Sequence, residues 1–310
     1  MKNDSIVSYL ASAVIITGWV LSPVKSHAAK NQNLNISFEG NAEHCSDLKV
    51  RSNGEVAQSN ETYTIQKSEA PILEMTGMER SVLHIRGWDR PEYSVEACKV
   101  AAAENRAAAE QVVHGISVSR SAGRISATGP SSDDANWQLY FIVHAPKDAN
   151  LNLDTKNGPI DVASVNGTIK VRATNGPVAI RDCAGVVEVH TANGPISFNG
   201  GGGEVHLTAQ NGPISLNLAG EVWNGSQLDA RTINGPVSIV VPDAFRSGVR
   251  VETSGHSPVS CGAGACRSAW TNTGSNQHVI QLNGSQDTIR VSTSNGPVSV
   301  NGPGKGKKII

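Results

Sequence analysis

Aromatic residues are scarce in this chain, at 4% of its length, and methionine occurs three times. A core of bulky rings is thereby excluded, so Val, Ile, Leu and Ala must fill whatever interior forms, as thin parallel strands prefer. Charge of one sign is lacking too: 26 Lys and Arg stand against 27 Asp and Glu, a net of −1. Without residues 1–28, which carry Lys2, Lys25 and Asp4, the balance is −2. That excludes the basic footprint a phosphate backbone demands, and nucleic acid is not an expected partner. No phosphate loop, nucleophile elbow or Cys pair at the spacing of tetrahedral zinc ligation is present, so neither a cofactor nor a resident metal is expected.

Long hydrophobic runs are also missing after the first residues. The run over 6–21 is interrupted by Ser8, Ser12, Thr17 and Gly18 and is short for a membrane span. With Lys2 before it and Ser26-His27-Ala28 after it, residues 1–28 read as a signal peptide cut before Ala29. A retained anchor is the competing reading. The expected location is the periplasm or the cell exterior, with no membrane span after cleavage.

What the chain has in abundance is a repeat. Asn-Gly-Pro stands at Asn157, Asn175, Asn193 and Asn211, each 18 residues after the last, and returns at Asn234 and Asn295. A fixed short period marks a solenoid, in which each turn buries its apolar side chains only against its neighbours. Asn166-Gly167 echoes Asn157-Gly158 nine residues on, so each turn has two corners and hence two strands. Apolar residues alternate after the corners, at Ile160 and Val162, Val178 and Ile180, Ile196 and Phe198, Ile214 and Leu216, and Val237 and Ile239. The second half of each turn does the same, at Ile169 and Val171, Val187 and Val189, and Val205 and Leu207. The corners are Asn157-Gly158, Asn175-Gly176, Asn193-Gly194, Asn211-Gly212 and Asn234-Gly235. Gly tolerates positive φ there, Asn tolerates the left-handed region, and the following Pro suits the first residue of a strand. A single Asn-Gly would equally suit a hairpin; copies in one register favour the solenoid.

The expected fold is therefore all-β, a β-solenoid with 18-residue turns over 151–303, preceded by a β-rich region over 29–150 and followed by a basic tail at 304–310. The N-terminal region carries strand signals at 34–38, 63–66, 82–86 and 137–144. Its Ala-rich stretch at about 97–113 predicts a helix that acts as a lid. After Pro242 the pattern loosens into an excursion, and extra residues near Glu221 to Ser226 predict a loop that leaves one edge of the stack.

An exported chain permits disulfides. Cys261 and Cys266 flank a Gly/Ala loop able to close, and Cys45 and Cys98 form the natural second pair, although sequence alone leaves connectivity open. Cys183 remains, at the position Val165 holds one turn earlier, and reads as a buried core thiol.

Between the inward residues lie two outward columns: Lys170, Glu188, His206 and Asp229, and beside them Arg172, His190, Thr208 and Arg231. These, with Trp223 and Trp270 as aromatic platforms in loops, are the candidate ligand contacts. A solvated face with cross-turn ion pairs is the plainer reading of the columns, and covers for the hydrophobic stack the plainer reading of the tryptophans. Glu188 and His190 could also supply acid and base groups to a saccharide-cleaving groove. Calcium-binding β-rolls share the period, but where their recurring Asp would fall stand Val162, Ile180, Phe198 and Leu216.

The Asn-Gly-Pro-Ile/Val turns from Asn157 to Val240, Val143-His144-Ala145-Pro146 with Leu151-Asn152-Leu153, and Arg86-Gly87-Trp88-Asp89 upstream resemble the bacterial family of exported putative adhesins, a domain of unknown function built as a β-solenoid. The resemblance spans roughly two thirds of the mature chain. It implies an envelope location and no established enzyme activity, and it hands over no catalytic residue. The expected function is non-enzymatic binding of a cell-surface polymer or envelope protein, with self-association through strand edges. A carbohydrate-active β-helix enzyme and an envelope-stress sensor are the alternatives.

Overall fold

The computed structural model describes residues 33–37, 42–131, 135–254, 257–262, 264–273, 277–284, 286 and 288–304. The expected signal peptide, and all of the expected tail but Gly304, lie outside them. The N-terminal region contains β1 (Leu34–Ser37), β2 (Lys49–Ser52), β3 (Glu55–Gln66), β4 (Ile72–Trp88) and β5 (Glu92–Ala103), then helix α1 (Arg106–His114), then β6 (Ser117–Ser121), β7 (Arg124–Thr128) and β8 (Asn136–Pro146). Next come β9 (Asn150–Asn157), β10 (Ile160–Ala163), β11 (Thr168–Asn175), β12 (Val178–Arg181), β13 (Val186–Asn193) and β14 (Ile196–Gly200). The run continues through β15 (Gly202–Asn211), β16 (Ile214–Leu218), β17 (Asn224–Asn234) and β18 (Val237–Val240). Last are β19 (Val249–Ser254), β20 (Val259–Cys261), β21 (Trp270–Thr273), β22 (Gln277–Leu282), β23 (Ile289–Asn295) and β24 (Val298–Asn301).

From β9 to β20 the chain alternates between two parallel ladders; β22 then pairs antiparallel with β19, and β21 with β22, before β23 and β24 return to the ladders. The longer strands pair in the order β9, β11, β13, β15, β17, β23, β19. The shorter ones pair as β10, β12, β14, β16, β18, β24, β20. Registry is kept by residue type: Ile160, Val178, Ile196, Ile214, Val237 and Val298 form one buried column, and Leu151, Ile169, Val187, Val205, Leu228 and Ile289 another. A one-residue slip would turn every one of these side chains to water, so the apolar pattern fixes the register.

The corners are stacked as tightly as the strands. A Cβ on Gly194 (φ +154°) would lie 2.2 Å from the Gly176 carbonyl oxygen, and one on Gly176 (φ +141°) would lie 2.4 Å from that of Gly158. Only glycine fits this column. Beside it each Asn Nδ2 donates to the Oδ1 one rung below: Asn175 to Asn157 at 2.9 Å, Asn193 to Asn175 at 3.1 Å, Asn211 to Asn193 at 3.0 Å, Asn234 to Asn211 at 2.9 Å and Asn295 to Asn234 at 2.8 Å.

At both ends spatial order departs from chain order. The first half of β4 pairs with β9 and the second half with both β8 and β10, the register shifting between Met75 and Met78 where Gly77 adopts φ +69°. One strand thus supplies a rung to both ladders and lies between elements that follow it in sequence. At the other end β23 fills the place between β17 and β19, and β24 that between β18 and β20. The chain leaves a rung open after Val240 and closes it with its last strands.

The expected helix at 97–113 is corrected. Cys98–Ala103 belong to β5, paired antiparallel with β3 on one side and β8 on the other, and Ala97, Val100, Ala101 and Ala102 are buried. Burial between two partner strands outweighs the helix propensity of alanine. The helix starts only after Asn105, whose Oδ1 accepts from the Ala108 amide at 2.9 Å, and its residues Ala109 and Val113 are buried. A second small apolar cluster, Ala42, Leu48, Val82, Cys98, Tyr140 and Ile142 with Ile36 and Cys45, covers the outer side of β4, β5 and β8. The Cys45–Cys98 disulfide fastens it, and Cys261–Cys266 closes the loop after β20. Cys183 is buried, which pushes its thiol up, and its Sγ donates to the Arg181 carbonyl at 3.3 Å.

Candidate functional site

Side chains that alternate with the buried columns face outward, and on the longer ladder most of them are charged. Registry places Lys170, Glu188, His206 and Asp229 on successive rungs of one column, and Arg172, His190, Thr208 and Arg231 on its neighbour. The same registry extends both columns past the residues expected from sequence. Asn152 and Asp154 precede them, Arg290 and Ser292 follow, and Arg250 and Glu252 come last. Asn152 and Asp154 lie one regular 18-residue step before Lys170 and Arg172 and were legible, whereas the later additions were hidden because β19 and β23 break both the step and the chain order; only their apolar alternation, Val249, Val251, Ile289 and Val291, signalled strands.

Contacts along the columns run both within and between strands. Glu188 Oε1 lies 3.0 Å from His190 Nε2, and its Oε2 lies 3.8 Å from Lys170 Nζ. His206 Nε2 lies 3.5 Å from Glu204 Oε1 and 3.4 Å from Gln227 Nε2. Arg250 Nε pairs with Glu252. The hydrogen bond from His190, with the Lys170 and Arg172 charges adding to it against slight burial, holds the Glu188 carboxyl below the usual range. A general acid at neutral pH needs the opposite shift, so this pair is poorly matched to glycosidic cleavage. Asp229, Arg231, Arg250, Glu252, Arg290 and Ser292 line a shallow cavity of about 420 Å³ where β17, β23 and β19 meet. It can present guanidinium forks and carboxylates together to a polar ligand.

Trp223 does not join this face, which corrects its place among the candidate ligand contacts and agrees with the plainer reading of it as a cover for the hydrophobic stack. It is 6% exposed, its Nε1 donates to the Gly203 carbonyl at 3.1 Å, and its ring lies 6.1 Å from that of Phe198. Its side chain alone turns inward while 220–222 and 224–226 stay exposed, because an indole gains more by closing the apolar stack than by facing water. Trp270, on β21, is 57% exposed.

The shorter ladder has a different outer face. Ser197, Ser215, Ser238, Ser299 and Ser260 follow one another on its outward column without a charge. Nearer the N-terminus Asp161 gathers three cations or potential cations: Arg86 Nη2 at 2.5 Å, Arg181 Nη2 at 2.7 Å and His84 Nδ1 at 3.2 Å. Burial opposes its ionisation, but the hydrogen bonds from His84 and Arg86 and the two guanidinium charges prevail and hold the carboxyl down to about 2. Among the described residues no helix is long and apolar enough to cross a membrane, and no group of three or more His, Cys, Asp or Glu could hold a metal ion.

Neither a protein-family model nor a curated protein matches the chain. Among solved structures it is similar to a putative cell adhesion protein from Clostridium sporogenes, with 10% identity over 79% of this chain and 100% of that one and a TM-score of 0.35. A putative adhesin from Parabacteroides distasonis is 8% identical over 80% of this chain and 98% of that one, with a TM-score of 0.35. A putative lipid binding protein from the same species is 9% identical over 77% and 96%, with a TM-score of 0.30. None of these similarities assigns a role to a residue of this chain.

Proposed function

We propose that this is an exported, non-enzymatic binding protein of the cell envelope. Its two ladders are the sides of a β-solenoid, and the charged outer face of the longer ladder holds a surface polymer. The observation that carries this reading is the unbroken pair of columns from Asn152 and Asp154 to Arg250 and Glu252, which repeats polar and charged groups once per rung. A polymer with its own repeat can meet such a face at many weak points, and many weak contacts sum to useful avidity. Export is supported by the apolar leader over 1–28 and by two disulfides, which persist in oxidising compartments. The partner is a cell-surface polymer or an envelope protein, and a second copy can add at a strand edge.

The test is retention of the mature protein, residues 29–310, on peptidoglycan, lipopolysaccharide and a panel of polysaccharides, with product release followed in parallel. Retention that weakens with salt, and falls stepwise in Lys170→Gln, Arg172→Gln and Arg231→Gln variants, is the expected outcome. Release of oligosaccharide, abolished by Glu188→Gln, would replace this reading with a carbohydrate-active enzyme. Binding confined to one envelope protein would point to a sensor.

A further inference from the structure

A second site lies away from the columns, where three turns are brought together by the threading of β4. The turn over 67–71 leads into β4, the turn over 89–91 leaves it, and the crossing over 147–149 carries the chain from β8 past β4 to β9. Backbone bonds tie them: the Lys67 amide donates to the Pro91 carbonyl at 3.0 Å and the Lys147 amide to that of Trp88 at 3.1 Å. Two adjoining depressions result. One of about 470 Å³ is lined by Trp88, Asp89, Arg90, Pro146, Lys147 and Asp148, and the other, of about 420 Å³, by Gln66, Ser68, Pro71 and Asn150; Lys67 and Pro91 line both.

Trp88, in the lining of the first, has two neighbours on its ring. Trp88 lies on the His144 ring at a centroid distance of 5.2 Å, and the Arg90 guanidinium lies over Trp88 with Cζ 4.7 Å from the ring centroid. The indole is fixed by its Nε1, which donates to the Glu92 carbonyl at 2.8 Å. The nearby carboxylates are already engaged, Asp89 by Lys147 at 2.8 Å and Asp148 by Lys67. Arg90, which is exposed, has Trp88 as its partner among the described residues and forms no ion pair with them. A guanidinium that rests against an aromatic ring and enters no ion pair keeps its planar set of N–H donors for a ligand, the group that takes a carboxylate or phosphate by two hydrogen bonds.

We infer that this corner binds an acidic saccharide, with the carboxylate of a uronate or the phosphate of a sugar ester on Arg90. The remaining lining suits the rest of such a ligand. Pro71 and Pro91, both exposed, offer rigid apolar rings to sugar C–H faces, while Gln66, Ser68 and Asn150 offer amide and hydroxyl groups to sugar hydroxyls. The site uses no residue of the outer columns, so it stands whether or not the columns bind a polymer.

Calorimetric titration of the full protein with trigalacturonate, glucose 6-phosphate, neutral maltotriose and tetraglutamate tests it. Binding of trigalacturonate or glucose 6-phosphate, and not of maltotriose, is expected, and the stronger of the two identifies the anion. Arg90→Gln should weaken that binding by about tenfold or more, as loss of a bidentate charged contact does. Arg90→Lys should recover only part of it. Failure of both acidic sugars to bind, equal affinity in Arg90→Gln with an unchanged melting temperature, or tetraglutamate binding as tightly as the sugars would each overturn the inference.

Discussion

Single residues in this protein are constrained by the rung above and the rung below. The corner glycines are the sharpest case, because a Cβ on Gly194 would lie 2.2 Å from a backbone oxygen of the next rung, and backbone cannot move aside in a ladder paired on both edges. Gly194→Ala is expected to destabilise the fold by more than about 3 kcal/mol in chemical unfolding, as packing clashes against fixed backbone do. Gly220, at φ +78° with its nearest foreign atom 3.7 Å away, is the matched control. Its alanine variant should cost only about 1 kcal/mol, the ordinary cost of a left-handed alanine. Asp161 gives the pH-dependent case. Its folded pKa lies below the unfolded value, so its contribution is full above about pH 4 and disappears as pH falls toward 2. Asp161→Asn should therefore lower stability by about 2 kcal/mol at pH 7 and by nothing measurable near pH 2, in parallel denaturation curves of the two proteins.

At the scale of elements, the decisive feature is a rung supplied out of order. β23 and β24 are flanked on both sides by parallel partners, β17 and β19 in one ladder and β18 and β20 in the other, yet they come last in the chain. Until they insert, four strand edges with apolar inner faces stand open, and open edges recruit other chains. Removing 289–310 is expected to lower the melting temperature and to produce oligomers in light scattering, whereas trimming only 305–310 should do neither. A truncated protein that stayed monomeric with an unchanged melting curve would show that the excursion over 249–282 seals the stack by itself. β5 teaches the complementary lesson: the same alanines that favour helix in isolation become strand where β3 and β8 take up both of their edges.

Over the whole molecule, chemistry is sorted by face. The inner columns are apolar, the outer face of the longer ladder is charged, that of the shorter ladder is largely serine and asparagine, and the first strands are roofed by the Cys45–Cys98 cover. Because that disulfide joins a small apolar cluster to an otherwise solvent-facing sheet, reduction should expose Val82, Tyr140 and Ile142 without unpairing the ladders. Increased binding of a hydrophobic dye at constant far-ultraviolet circular dichroism is the expected reading, and simultaneous loss of both signals would mean that the cover also holds the ladders together.

Much of this was legible in the sequence, because a rung needs only local rules. Alternation of Ile160 with Val162 or Val187 with Val189 sets which side chains are buried, Asn-Gly-Pro sets each corner, and the constant step sets which residues stack, so the columns through Lys170 and Arg172 could be placed before any coordinates. The burial of Cys183 followed from its column, whereas the pairing of Cys45 with Cys98, left open by the sequence, was decided by the structure. Tertiary structure alone decided what depends on partners distant in the chain. It made Cys98–Ala103 a strand, turned Trp223 inward onto Phe198, threaded β4 and β23 between later and earlier strands, and so brought Arg250 and Arg290 into the outer columns and Arg90 over Trp88 beside Lys147. Local sequence fixes the period and the face of each side chain, whereas the choice of neighbouring strand is a competition among surfaces that becomes visible only when the whole stack is assembled.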